Sequence, residues 1–147
     1  MPGAKEMAVR ILIVDDDYVT RAKLKAILSD HGDCDAAPNG ELALSMLEDA
    51  LNDAHPYDLV TMDVDMPGMS GEEVVREIRR REWNWAKRMS RPVVEAKVLM
   101  VTVRRDSQTV IASFRRGCEG YLAKPVTPEK LRAALAKLEC EEPVSEA

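Results

Sequence analysis

Apolar residues fall along this chain in short blocks whose spacing alternates between two periods. "VRILIV" (9–14) is a continuous, β-branched run and predicts a buried strand. After an acidic cluster, Thr20, Leu24, Ile27 and Leu28 recur at helical spacing, and Gly32 is placed to end that helix in a left-handed conformation. "CDAA" (34–37) predicts a short second strand. Asn39 is placed to cap a helix with Ala43, Met46, Leu47 and Ala50 on one face. Pro56 blocks further helix, and "YDLVTM" (57–62) predicts the third strand. Ser70 and Glu73 form a capping box for a third helix with Val74, Val75 and Ile78 inward. "KVLMVTV" (97–103) is the strongest strand pattern. Asp106 or Ser107 would cap a fourth helix that carries Val110, Ile111 and Phe114 and stops at Gly117. "GYLA" (120–123) predicts the fifth strand; Thr127 and Pro128 open a last helix with Leu131, Leu135 and Leu138 inward.

Strands and amphipathic helices therefore alternate five times. Continuous apolar strands joined by such helices imply an α/β fold, a doubly wound five-stranded parallel sheet covered on both faces, (βα)5. Right-handed crossovers then bring every strand's C-terminal end to one edge. Ligands of such sheets bind at that edge, where the strand order reverses.

Composition narrows the picture without changing it. A chain of 147 residues, 46% hydrophobic and 32% charged, suits one folded domain. The net charge of -5 argues against nonspecific nucleic-acid binding. No signal-peptide core and no membrane-length apolar run is present, so a cytoplasmic protein without a membrane partner is expected. Cys34, Cys118 and Cys140 have neither zinc nor disulfide-framework spacing. His31 and His55 stand alone and read as surface or loop residues.

The polar residues that interrupt the strands fall at one edge. Strand one ends in Asp15, Asp16 and Asp17; strand three ends in Asp63, with Asp65 two residues on. Thr102 lies near the end of strand four, and Lys124-Pro125 follows strand five. Asp17 also suits a helix cap. Carboxylates gathered there repel; at an effective dielectric near 20, a pair about 4 Å apart costs roughly 4 kcal/mol. A raised pKa or a bound cation relieves this. Oxygen-only ligands favour a hard cation, and few protein ligands favour Mg²⁺ over Ca²⁺. A cation, a lysine and a hydroxyl facing a carboxylate suit a phosphoryl group, with the aspartate as its nucleophilic acceptor. No glycine-rich nucleotide motif is present.

"ILIVDDDYVTR", "DLVTMDVDMPGMSG", "VLMVT" and "GYLAKP", in this order, resemble the receiver domain of response regulators in two-component signalling. The likeness runs from about Val9 to Leu138. It implies a flavodoxin-like sheet of strand order 2-1-3-4-5, with residues 9–139 as the domain, 1–8 as an extension and 140–147 as a tail. It implies that Asp63 accepts a phosphoryl group from a sensor histidine kinase or phosphotransfer protein. Asp15, Asp16, Asp63 and the backbone carbonyl of Asp65 would hold Mg²⁺. Thr102 and Lys124 would contact the phosphoryl group, and Thr102 and Tyr121 would switch a face made by helix four, strand five and helix five toward a downstream protein partner. Tyr121 reads as well as a static packing residue. The resemblance also implies a cis peptide bond at Lys124-Pro125.

Two features depart from the family. Val103 follows Thr102 where a small residue is usual; with Asp65 and Arg104 it would tune access and phosphate lifetime. Residues 79–97 lengthen the passage from helix three to strand four and carry Trp83 and Trp85 among arginines and lysines. This segment is expected to extend helix three and to meet a partner through the two tryptophans; equally, the tryptophans read as cover for helix three and the arginines as a solvated helix face. The end of the chain just after helix five suggests a stand-alone receiver, a signalling phosphoacceptor rather than an enzyme. The rival is a haloacid-dehalogenase-like Mg²⁺-dependent phosphatase, whose D-x-D motif "DVD" resembles, although that family carries it on the first strand.

Overall fold

A computed structural model describes residues 9–103 and 117–141, with side chains through residue 138. Five strands, β1 (Arg10–Val14), β2 (Asp33–Ala37), β3 (Leu59–Asp63), β4 (Lys97–Thr102) and β5 (Gly120–Ala123), form a sheet in the order β2-β1-β3-β4-β5. Every pairing is parallel. The helices are α1 (Tyr18–Leu28), α2 (Gly40–Asn52), α3 (Gly71–Met89) and α4 (Pro128–Glu141). The helix expected from Asp106, Ser107, Val110, Ile111 and Phe114, and Arg104 beside it, lie outside the described residues. The last helix predicted from sequence is α4.

The two-residue period of the strands sorts their side chains into two cores. Leu12, Val14, Val60, Met62, Val98 and Met100 meet the apolar faces of α2 and α3. Ile11, Ile13, Leu59, Leu99 and Val101 meet α1 and α4 through Leu24, Leu28, Leu131 and Leu138. Burial on both faces is why the strands read as unbroken apolar runs.

The caps form as their residues dictate. Asp17 accepts from Thr20 N, Asn39 from Leu42 N, and Ser70 with Glu73 completes the reciprocal box at α3. Thr127 accepts from Lys130 N at the start of α4. Gly32 corrects an expectation: α1 already ends at Leu28, and Gly32 is absent from the left-handed glycines. It is needed for space, since a Cβ there would lie 2.2 Å from the carbonyl oxygen of Val9. The third strand begins at Leu59 rather than residue 57. Tyr57 is buried beneath it and donates to Asp35 at 2.6 Å.

The expected lengthening of the third helix is present: α3 runs for 19 residues and closes at Ser90, which is left-handed (φ 53°). The tryptophans divide. Trp85 is only 9% exposed and belongs to the core; Trp83 is 53% exposed. A surface role therefore passes to Trp83 alone, because helical periodicity turns Trp85 onto the side of Ile78 and Glu82. No helix among the described residues is long and apolar enough to cross a membrane.

Candidate functional site

The C-terminal ends of β1, β3, β4 and β5 converge because the sheet order puts β1 beside β3 and β3 beside β4. Backbone bonds carry the ladder one residue past the strands and so fix the residues at their ends. Asp15 N donates to Ala37 O (3.2 Å), Val64 N to Val101 O (3.1 Å) and Lys124 N to Thr102 O (2.8 Å). The peptide Lys124-Pro125 is cis. After Asp63 the chain turns through Gly68, at φ +81°, which favours glycine. Gly71 then lies against the C-terminal end of β3: a Cβ there would stand 2.1 Å from Asp63 O.

Asp15, Asp16 and Asp63 each bring a carboxylate oxygen to within 4.8 Å of the others. Asp15 is fully buried, Asp63 is 4% exposed, and Asp16 faces solvent. Lys124 Nζ reaches both buried acids, at 3.2 Å from Asp15 Oδ2 and 3.5 Å from Asp63 Oδ1. The Asp15 contact is an ion pair without hydrogen-bond alignment, so Asp15 Oδ2 has no hydrogen-bond partner despite its burial. Asp15 Oδ1 accepts from Asp17 N (2.9 Å), and Asp63 Oδ1 from Asp65 N (3.3 Å).

The electrostatics follow from that crowding. Burial first, then the Asp15 carboxylate and a hydrogen bond with Asp16, push Asp63 up to about 7, against the pull of Lys124 and the Asp65 amide. Burial lowers Lys124, yet the carboxylates of Asp15 and Asp63 outweigh it and leave the ammonium above its ordinary value. Asp17 is held below the usual range by its hydrogen bonds from the Thr20 hydroxyl and amide. Its role is the cap of α1, for which its place in the sequence also suits it. Three carboxylates with an orphaned buried oxygen, and no nitrogen or sulfur donor in the group, fit a hard divalent cation.

The other expected residues surround this centre. Thr102 ends β4 and is 1% exposed. Tyr121 is half-buried in β5, paired with Met100. Asp65 is exposed beside the turn. Val103 is 67% exposed. With Val19, Thr20, Lys23 and Lys124 it lines a shallow depression next to the acids.

Sequence reasoning missed a second charged cluster. Arg79 donates to Glu82 (2.9 Å), to Glu119 (3.1 Å) and twice to the carbonyl of Gly117 (3.1 and 2.7 Å). Glu82 is 2% exposed and also accepts from Ala96 N, while Glu119 accepts from Val98 N. The network ties α3 to the starts of β4 and β5. Its signal was available: Glu82 stands four residues after Ile78, on the inward stripe, where an acid needs a partner.

Known proteins agree with this geometry. The family model for the response regulator receiver domain matches residues 11–136. The two-component response regulator ORR41 of Oryza sativa subsp. japonica is 35% identical over 132 residues, covering 88% of this chain and 93% of ORR41. The transcriptional regulatory protein AruR of Pseudomonas aeruginosa is 32% identical over 126 residues, covering 85% of this chain. This chain spans about half of AruR's length, 47%. The receiver domain of the histidine kinase CKI1 of Arabidopsis thaliana, solved with Mg²⁺ and BeF3⁻, shares the fold: TM-score 0.76 at 23% identity, covering 95% of this chain and 97% of that one. The chain belongs to the response regulator receiver family of two-component signalling. The D-x-D stretch starts at the last residue of the third strand, not on the first, and the family match is to the receiver domain, so the phosphatase resemblance is set aside.

Proposed function

We propose that this protein accepts a phosphoryl group on Asp63 from the phosphohistidine of a sensor kinase or phosphotransfer protein. The observation that carries the reading is a nearly buried Asp63 carboxylate facing the Lys124 ammonium at 3.5 Å, with Asp15 and Asp16 in the same cluster. An Asp63 oxygen attacks phosphorus; the P–N bond breaks and the imidazole leaves. The charge that develops on the transferring oxygens falls beside Lys124, and the Thr102 hydroxyl donates to one of them. Asp15, Asp16, Asp63 and the carbonyl of Asp65 are the residues to hold Mg²⁺. When bound, it neutralises phosphoryl oxygens and favours the ionised form of Asp63. Water later hydrolyses the acyl phosphate; Asp65, Val103 and Arg104 tune how soon.

The downstream effect is a shift of populations. Thr102 moves toward the phosphoryl group, Tyr121 turns inward, and the face to which β5 and α4 contribute changes its affinity for a protein partner. Such coupling is typically about 1–3 kcal/mol. Catalysis extends only to the protein's own phosphorylation and dephosphorylation.

Incubation with a small phosphodonor and Mg²⁺ tests the assignment by intact mass. Wild type is expected to gain a single alkali-labile phosphoryl group, and Asp63→Asn none. Label retained in Asp63→Asn, or sustained release of phosphate from monoesters, would overturn it.

A further inference from the structure

The outer face of α3 is unlike the rest of this acidic protein. Seven of the chain's 21 lysines and arginines lie between Arg76 and Arg91, against only Glu77 and Glu82. The acids are already engaged: Glu82 is buried on Arg79, and Glu77 is shared by Arg80 and Arg81. Arg81 also reaches Glu48 of α2. Among the described residues, Arg76, Arg88 and Arg91 make no ion pair and are exposed. Arg76, Arg80, Trp83 and Lys87 recur at i, i+4, i+7 and i+11, so they share one stripe. Within the stripe, Lys87 Nζ sits 4.9 Å from the centre of the Trp83 ring, so cation and indole form one surface feature.

An indole that is 53% exposed and lies along a row of cations contributes nothing to the core. Trp85, two residues on, supplies the packing on the inner face. Tryptophan and arginine are the residues that anchor protein interfaces. We propose that this stripe docks an acidic protein segment that also presents an apolar side chain to Trp83. Charge selects the partner: the uncompensated cations call for carboxylates, and the indole calls for an apolar group among them. Trp83 is twelve residues beyond Gly71, about 18 Å along the helix from the acidic cleft. A segment bound there leaves the phosphoacceptor open to its donor.

The test selects a random peptide library on the full chain, with counter-selection on a triple variant, Arg76→Gln, Trp83→Ala and Lys87→Gln. Each is a solvent-facing change, so the variant should fold and should still respond to Mg²⁺ and beryllofluoride. Enriched peptides are expected to be acidic with an apolar residue. They should bind the variant at least about tenfold more weakly and weaken as salt rises. Short duplex DNA and vesicles of phosphatidylserine serve as competing probes. Peptides that are not acidic, binders insensitive to the variant, or no binder at all would overturn the proposal. So would variant-sensitive binding of DNA or vesicles in preference to acidic peptides.

Discussion

Asp63 is held where a carboxylate is least comfortable as an anion, and this has a sign that can be measured. Its pKa stands at about 7 in the fold against an ordinary 3.8. Between those values the folded state binds the extra proton, so stability falls as pH rises through that window. The stabilising protonated form is fully present at low pH and is lost as pH passes the folded value. In ion-free protein above pH 7 the penalty is on the order of a few kcal/mol. Asp63→Asn should therefore melt higher than wild type at alkaline pH in chelator, and the gap should close as pH falls toward the ordinary carboxylate range. Thermal melts at several pH values check this; a gap independent of pH would exclude it. Gly71 makes a second demand at this scale. Alanine there would place a Cβ 2.1 Å from Asp63 O and force the peptide aside. A loss of about 2–3 kcal/mol in urea unfolding is expected, together with a weaker beryllofluoride response.

Elements were largely legible in the chain, and the reasons are physical. β1, β3 and β4 lie inside the sheet, buried on both faces, so their apolar runs left little choice. The capping box at Ser70 and the cap at Asn39 act through local hydrogen bonds that sequence spacing fixes. What sequence could not give is what depends on remote partners. Gly32 looked like a helix stop, whereas its real constraint is Val9, twenty-three residues earlier. Trp83 and Trp85 looked alike until the helix turned them apart. Asp15, Asp16, Asp63 and Lys124 were expected together from strand ends, and the structure brings them together; the inward Glu82 and its Arg79 were not noticed. That pair sets the prediction at this scale. Arg79→Ala would leave Glu82 buried beside Ala96 N without its cation and would release the Gly117 carbonyl. Breaking a buried pair of this kind costs about 3–5 kcal/mol. Denaturant unfolding should show it, with Glu82→Gln milder because an amide can still accept from Ala96 N.

At the scale of the whole molecule, the cleft draws on both ends of the sequence. Asp15 and Asp16 precede the first described helix, and Lys124 lies near the last, so only the complete fold assembles the site. A cation that binds the fold and not the open chain should raise stability by mass action, about 2.7 kcal/mol at a hundred times its dissociation constant. Thermal melts in rising Mg²⁺ should show this for wild type and much less for Asp16→Asn, which removes the exposed member of the acidic cluster and leaves the core alone. The close seating of Gly71 on the peptide of Asp63, with Gly71 N donating to Val64 O at 2.9 Å, has a geometric corollary. It ties the first turn of α3 to the peptide of Asp63, while Val74, Val75, Ile78 and Ala86 hold the rest of the helix against the sheet. A shift of that peptide cannot leave the start of α3 behind, and a helix gripped along its length carries such a shift as one body instead of absorbing it in its first turn.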